Sequence, residues 1–234
     1  MGWPNNFVQG VYNSDNELVG VDDGAGGQIG LTPTYTWATK PLASAYTGRA
    51  FISDIGGGSI WVSNGTRWYP ENGRVVLYTL PAAVAGTYAA EAVVLQYLIP
   101  TGLLQARDKL NIRYTAGKSV GSSAGTHTIR FGLAGTTADS LITGCSTTGP
   151  STTNIAVGID CDILCKDNLT IKRLGSAFLG SYAGVSITTA VAADLTVANL
   201  SANPSYISQT CSMPTANGDT VTYYDYTITL ISGH

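Results

Sequence analysis

From about residue 74 onward, short runs of alternating apolar and polar residues recur, separated by turn residues. In "KLNIRYTA" (109–116), Leu110, Ile112 and Tyr114 alternate with Asn111, Arg113 and Thr115, the period-two pattern of a strand with one buried face. "HTIRFGLA" (127–134) repeats it, with Ile129, Phe131 and Leu133 inward and Arg130 outward. "RVVLYTL", "EAVVLQYLIP", "TNIAVGID", "NLTIKRL" and "YAGVSITTA" are further strand candidates, the second reading as a buried strand despite its alanine-rich start. In the closing "DTVTYYDYTITLIS", Tyr224, Tyr226, Ile228 and Leu230 keep one parity while Val221 and Tyr223 keep the other, which predicts a β-bulge within Tyr223–Asp225. No long amphipathic helix is legible, and no internal repeat of solenoid type. The strand spacing predicts an all-β fold, a sandwich or barrel.

The region before it divides in two. Residues 36–78 read as a small β-meander connector: Phe51, Ser53 and Ile55 alternate with Ile52 and Asp54, "GGG" turns the chain, and Ile60–Ser63 returns. Within "IWVSNGTRW" (60–68), Asn64-Gly65 predicts a two-residue type I′ turn. Counting outward, Trp61 then lies directly opposite Trp68, a pair expected to pack against a neighbouring subunit or the next domain. Residues 1–35 carry "NSDNELVGVDDGAGGQIGLTP", too poor in apolar residues to build a core. They read as an extended arm that needs a docking surface on another chain, with Trp3, Phe7 and Val11 as its apolar contacts. The third segment, 79–234, is the β-sandwich.

Composition narrows the function classes. Charged residues make up 12% of the 234, about half the usual share, while 28 Gly and 9 Pro suit a turn-rich β protein. A net charge of −3 without a basic cluster gives no footprint for nucleic acid. Runs such as "VVLQYLI" are far shorter than the roughly 18–20 residues of a membrane helix. "MGWPNNFVQG" shows neither the basic nor the apolar part of a secretory signal, so the chain is expected to be made in a cytoplasm and to stay soluble, without membrane insertion. Cys145, Cys161, Cys165 and Cys211 read first as buried reduced thiols, with a disulfide and a metal site as lesser alternatives.

Catalytic chemistry finds little support. His127 begins a strand, His234 is the last residue, and no GxSxG elbow accompanies either. "AGKS" (116–119) has Ile112 where a phosphate loop needs its first glycine. The glutamates are Glu17, Glu71 and Glu91, and Asp160–Asp162, on one face of a strand, read as a solvated strand end before they read as a calcium site or a catalytic pair. No catalytic residue, metal ligand or cofactor is assigned, and the chain is expected not to be an enzyme. Binding is better served: Tyr206, Tyr223, Tyr224 and Tyr226 can offer flat aromatic faces to a sugar, against the alternative that they are core or interface aromatics.

The piece "GRAFISDIGGGSIWVSNGTRWYPENGRVVLY" resembles a module of tailed-bacteriophage virion proteins that precedes a carboxy-terminal domain. "LIPTGLLQARDKLNIRYTAGKSVGSSAGTHTIRFGLAGTTADSLI" is similar to the sandwich at the ends of phage fibres, through its "IP…L…D.L.I" strand entry and "R.GLAGT..D" hairpin. The resemblance covers roughly residues 45–143. It implies a virion protein, assembled in the host cytoplasm, whose arm (1–35) anchors it to a tail, neck or capsid protein and whose tip is a jelly-roll-like, trimeric sandwich. The function expected is that of a non-enzymatic tail fibre binding a receptor, with a host cell-surface glycan as a candidate. A head fibre or capsid decoration protein and a polysaccharide-degrading tailspike are the alternatives.

Overall fold

The computed structural model describes residues 10–12, 18–22, 28–30, 32–119, 124–147, 155–178, 185–188, 194–213 and 218–233. The chain forms two compact units, Met1–Glu71 and Asn72–His234. "RVVLYT", read from sequence with the connector, falls in the second.

The first unit begins with β1 (Gly10–Tyr12), β2 (Leu18–Asp22) and β3 (Gln28–Gly30), which pair in order as an antiparallel sheet. The described strands within residues 10–30 therefore pair with one another, where a single extended arm was expected. The runs "GVY", "LVGVD" and "QIG" satisfy one another's backbone groups edge to edge. Trp3 and Phe7 lie outside the described residues; Val11 lies in β1, opposite Gly20.

The same unit continues with β4 (Thr34–Tyr35), β5 (Thr47–Ile52), β6 (Ser59–Asn64) and β7 (Trp68–Pro70). These form one four-stranded sheet in that order, so the expected three-stranded meander gains β4, which pairs parallel to β5. One 3-10 turn, Ala43–Ala45, precedes β5. The expected alternation through Ile55 stops at Ile52, but Ile55 is still buried in the turn that follows. Gly58 belongs there because φ is +100° and a Cβ at that site would overlap the Phe51 ring.

The second unit contains β8 (Arg74–Thr79), β9 (Val84–Gly86), β10 (Ala92–Ile99), β11 (Lys109–Lys118), β12 (Gly125–Gly132) and β13 (Ser140–Thr147). It continues with β14 (Ile155–Asp167), β15 (Thr170–Phe178), β16 (Val185–Thr188), β17 (Asp194–Thr196), β18 (Ser205–Ser212) and β19 (Val221–Ile231). One sheet runs β17-β15-β14-β11-β19-β8, with β9 also on β19; the other runs β10-β18-β12-β13-β16. All their pairings are antiparallel. The two sheets pack face to face, sandwich-like, Tyr78 of one meeting Tyr97 of the other at 5.9 Å.

The core sits between them, and the period-two reading holds at its centre. Leu110, Ile112, Tyr114, Ile129 and Phe131 are at most 2% exposed, each contributing roughly 1.5–3 kcal/mol for an aliphatic or Phe side chain of this kind. The bulge also falls where expected: Thr115 pairs with Asp225 and Ala116 with Tyr223, leaving Tyr224 as the extra residue. Leu133, expected inward, is instead 52% exposed, because β12 ends at Gly132 and the alternation ends with it.

Candidate functional site

Trp37, Trp61 and Trp68 build the core of the first unit. Ser63 pairs with Trp68 and Trp61 with Pro70, so the expected direct Trp61–Trp68 opposition is shifted by two residues. The cause is the turn. Asn64 keeps a negative φ and turns its side chain inward: Oδ1 accepts from Thr66 N and Arg67 N, each at 3.0 Å, and from Thr66 Oγ1 at 2.6 Å. This Asx-type closure makes a four-residue loop, Asn64 to Arg67, in place of a two-residue one. A shift of two preserves the face, so both indoles still point to the same side. Trp61 packs edge-on against Trp37 with centroids 5.0 Å apart and donates Nε1–H to Ser59 Oγ at 2.8 Å. Trp68 stacks on Tyr46 at 5.2 Å and donates to Pro41 O at 3.0 Å. At 0% and 3% exposure, neither ring offers a face to a partner.

The four tyrosines part company. Tyr223 and Tyr226 face the sandwich core at 0% exposure, which removes them as a sugar platform. Their alternation from β19 past the bulge puts them on the apolar side. Tyr224, thrown outward by the bulge, is 62% exposed, and its ring lies against Gly117 so closely that a Cβ there would meet it at 2.9 Å. Tyr206 is half-buried in β18, paired with Gly132 on one side and Leu98 on the other. The structure therefore does not bring the four together.

A polar cluster occupies the centre of the sandwich. His127 stands between Cys145 and Cys211 on adjacent strands. Gln209 Nε2 donates to the Tyr223 hydroxyl at 3.4 Å, and the same hydroxyl is hydrogen-bonded to His127 Nδ1 at 2.7 Å. Nε2 itself has no hydrogen-bond partner. Burial pushes His127 down to about 4, so the ring is neutral. Burial likewise raises Cys145 to about 11 and Cys211 to about 12, outweighing hydrogen bonds from Tyr114 and Tyr223, so both remain thiols. With no surface access, this cluster is a packed polar core rather than a reaction centre.

Two surface clusters are internally satisfied. Asn111 Nδ2 donates to Asp160 Oδ1 at 2.5 Å and Asp162 Oδ1 at 2.9 Å, the two aspartates lying in the middle of β14 rather than at a strand end. Burial alone would raise the Glu91 carboxyl, but bonds from Arg130, Thr210 and Thr128 hold it below its usual range. Among the described residues, no group of three or more His, Cys, Asp or Glu is placed to hold a metal ion, and no helix is long and apolar enough to cross a membrane.

Among the described residues, the second unit carries a groove of about 230 Å³. One wall is the turn after β12. There the Asp139 carboxylate accepts from Ala134 N at 3.2 Å, Gly135 N at 2.7 Å and Thr136 N at 3.2 Å. Gly132 is required beneath it, since a Cβ would overlap that carboxylate. Arg130 Nη1 clamps Asp139 O at 2.7 Å and Gln96 Nε2 clamps Gly135 O at 2.6 Å. The other wall, Thr196–Ala198, runs on from the last residue of β17 and is tied by Val197 N to Leu169 O at 2.8 Å. Sequence reasoning missed this site. "GLAGTTAD" signals a turn, but nothing local signals that residues some 60 positions later close over it.

No family model and no curated protein matches the chain.

Proposed function

We propose that the chain is a non-enzymatic structural protein of a tailed-phage virion, a fibre whose amino-terminal residues, 1–35, attach it to another virion protein and whose sandwich serves host attachment. The observation that carries this is the coincidence of two independent features. The segment 45–143 resembles fibre modules, and the strand order of the sandwich supports a jelly-roll reading. Taking β8, β10, β11, β12, β13, β14, β18 and β19 as eight successive strands, the order β8-β19-β11-β14 in one sheet and β10-β18-β12-β13 in the other is the first-eighth-third-sixth and second-seventh-fourth-fifth arrangement of two Greek keys. On this reading β15, β16 and β17 are an insertion widening both sheets.

A trimer is part of the proposal: light scattering of the purified protein should give three times the 24.3 kDa chain mass. The attachment role is tested by adding full-length chain to host cells before infection. A dose-dependent fall in phage adsorption is expected. Undiminished adsorption at saturating protein would reject attachment and favour a decoration fibre.

A further inference from the structure

From the groove between the turn after β12 and the segment after β17, we infer a binding site for a single neutral sugar ring. The inference rests on the host-attachment reading and gives it a place on the molecule.

The argument begins with what lines the groove. Ser140, Thr196 and Ser205 each present a hydroxyl, and none of the three side chains is hydrogen-bonded to another described residue. Ser205 is the telling one: the residue lines the groove at 2% exposure, and its side chain has no hydrogen-bond partner among the described residues. Buried polar groups are ordinarily paired, so a hydroxyl kept open at the wall of a cavity marks a place where something else supplies the bond. A hydroxyl both donates and accepts, and its best-matched partner is another hydroxyl.

Charge and size then narrow the ligand. Asp139 is the charged residue among those lining the groove, and its oxygens are taken by three backbone N–H groups. The Asp139 charge repels an anion, and oxygens already filled by three N–H donors make a poor cation ligand, which favours a neutral ligand. Leu133, Ala138 and Val197 add apolar surface suited to the C–H face of a pyranose. A volume of about 230 Å³ is below the roughly 300–1,000 Å³ of drug-sized sites, so one ring enters and a chain continues into solvent.

The walls are also pre-formed. Each is fixed by hydrogen bonds that do not involve the lining hydroxyls: Asp139, Arg130 and Gln96 hold one, Leu169 O and Asn168 O hold the other. A ligand therefore meets little ordering cost. That is the condition under which so small a contact gives measurable affinity.

The test uses the full chain and saturation-transfer NMR with methyl glycosides of glucose, galactose, mannose, N-acetylglucosamine and N-acetylgalactosamine. Saturable binding of at least one, with a dissociation constant on the order of 1 mM, is expected. Ala138→Trp, which fills the groove from an exposed position, should abolish the signal, and Thr196→Val should weaken it several-fold while the unfolding midpoint stays unchanged. Failure of all five glycosides to bind would overturn the site, as would binding that Ala138→Trp leaves intact. Phage adsorption blocked by wild-type and Ala138→Trp chains alike would reject the groove and leave the fibre reading standing.

Discussion

At position 127 a base is held neutral inside a protein that has almost no other histidine. Its folded value of about 4 lies below the ordinary 6.5, so between those pH values the unfolded chain takes up a proton that the folded chain refuses. Stability should be flat above pH 6.5 and fall as pH drops from there toward 4, by up to about 1.4 kcal/mol per pH unit and roughly 3 kcal/mol in total. Urea midpoints of wild type and His127→Gln across this range check it: the wild type should lose stability relative to the variant, and parallel curves would refute the assignment. The neighbouring thiols yield a second expectation. All four cysteines are buried, and burial raises Cys145 and Cys211 far from the thiolate range. A disulfide-exchange reagent at pH 8 should therefore titrate none of them in the native protein and all four in denaturant. In the groove, Asp139→Ala should cost about 1–3 kcal/mol for each backbone donor left buried and unpaired, read as a lowered urea midpoint.

At the scale of elements, the strands that sequence made visible are those whose buried positions are apolar. β11, β12, β14 and β19 announce themselves through Leu110, Ile129, Ile159 and Ile228. β13 and β18 do not. Their sequences, "SLITGCST" and "SYISQTCS", place Thr143, Ser208, Gln209 and Thr210 at buried positions, where hydrophobic periodicity has nothing to detect. These strands are held by cross-strand polar bonds such as Thr128 Oγ1 with Thr210 Oγ1, a compensation that exists only once the sheet has formed. The same limit explains the hairpin: "NG" located the turn, but the register turned on where the Asn64 side chain found its donors. Asn64→Ala should cost about 1 kcal/mol by removing that closure, and Trp61→Ala about 3–5 kcal/mol by emptying the centre of the module. Both are measurable as shifts in the unfolding midpoint of the first unit. The groove was illegible for a further reason, since its two walls come from segments far apart in sequence and meet only through the topology of the sandwich.

At the scale of the whole molecule, two separate cores lie on either side of the boundary between Glu71 and Asn72. One is built on Trp37, Trp61 and Trp68, the other on the facing sheets. Calorimetry should resolve two transitions, with Trp61→Ala lowering one and leaving the other within a degree or two; a single transition moved as a whole would show that the units unfold together. The division is compatible with the fibre proposed above, attached through one segment of the chain and exposing another. The virion proposal is tested most directly by immunogold electron microscopy of intact phage particles released from cells that carry the coding sequence, using antibody raised against the full chain. Gold on the particles, at the tips of tail or head appendages, is the expected result. Unlabelled particles, whose dissociated proteins also fail to react with the antibody, would contradict the virion assignment outright.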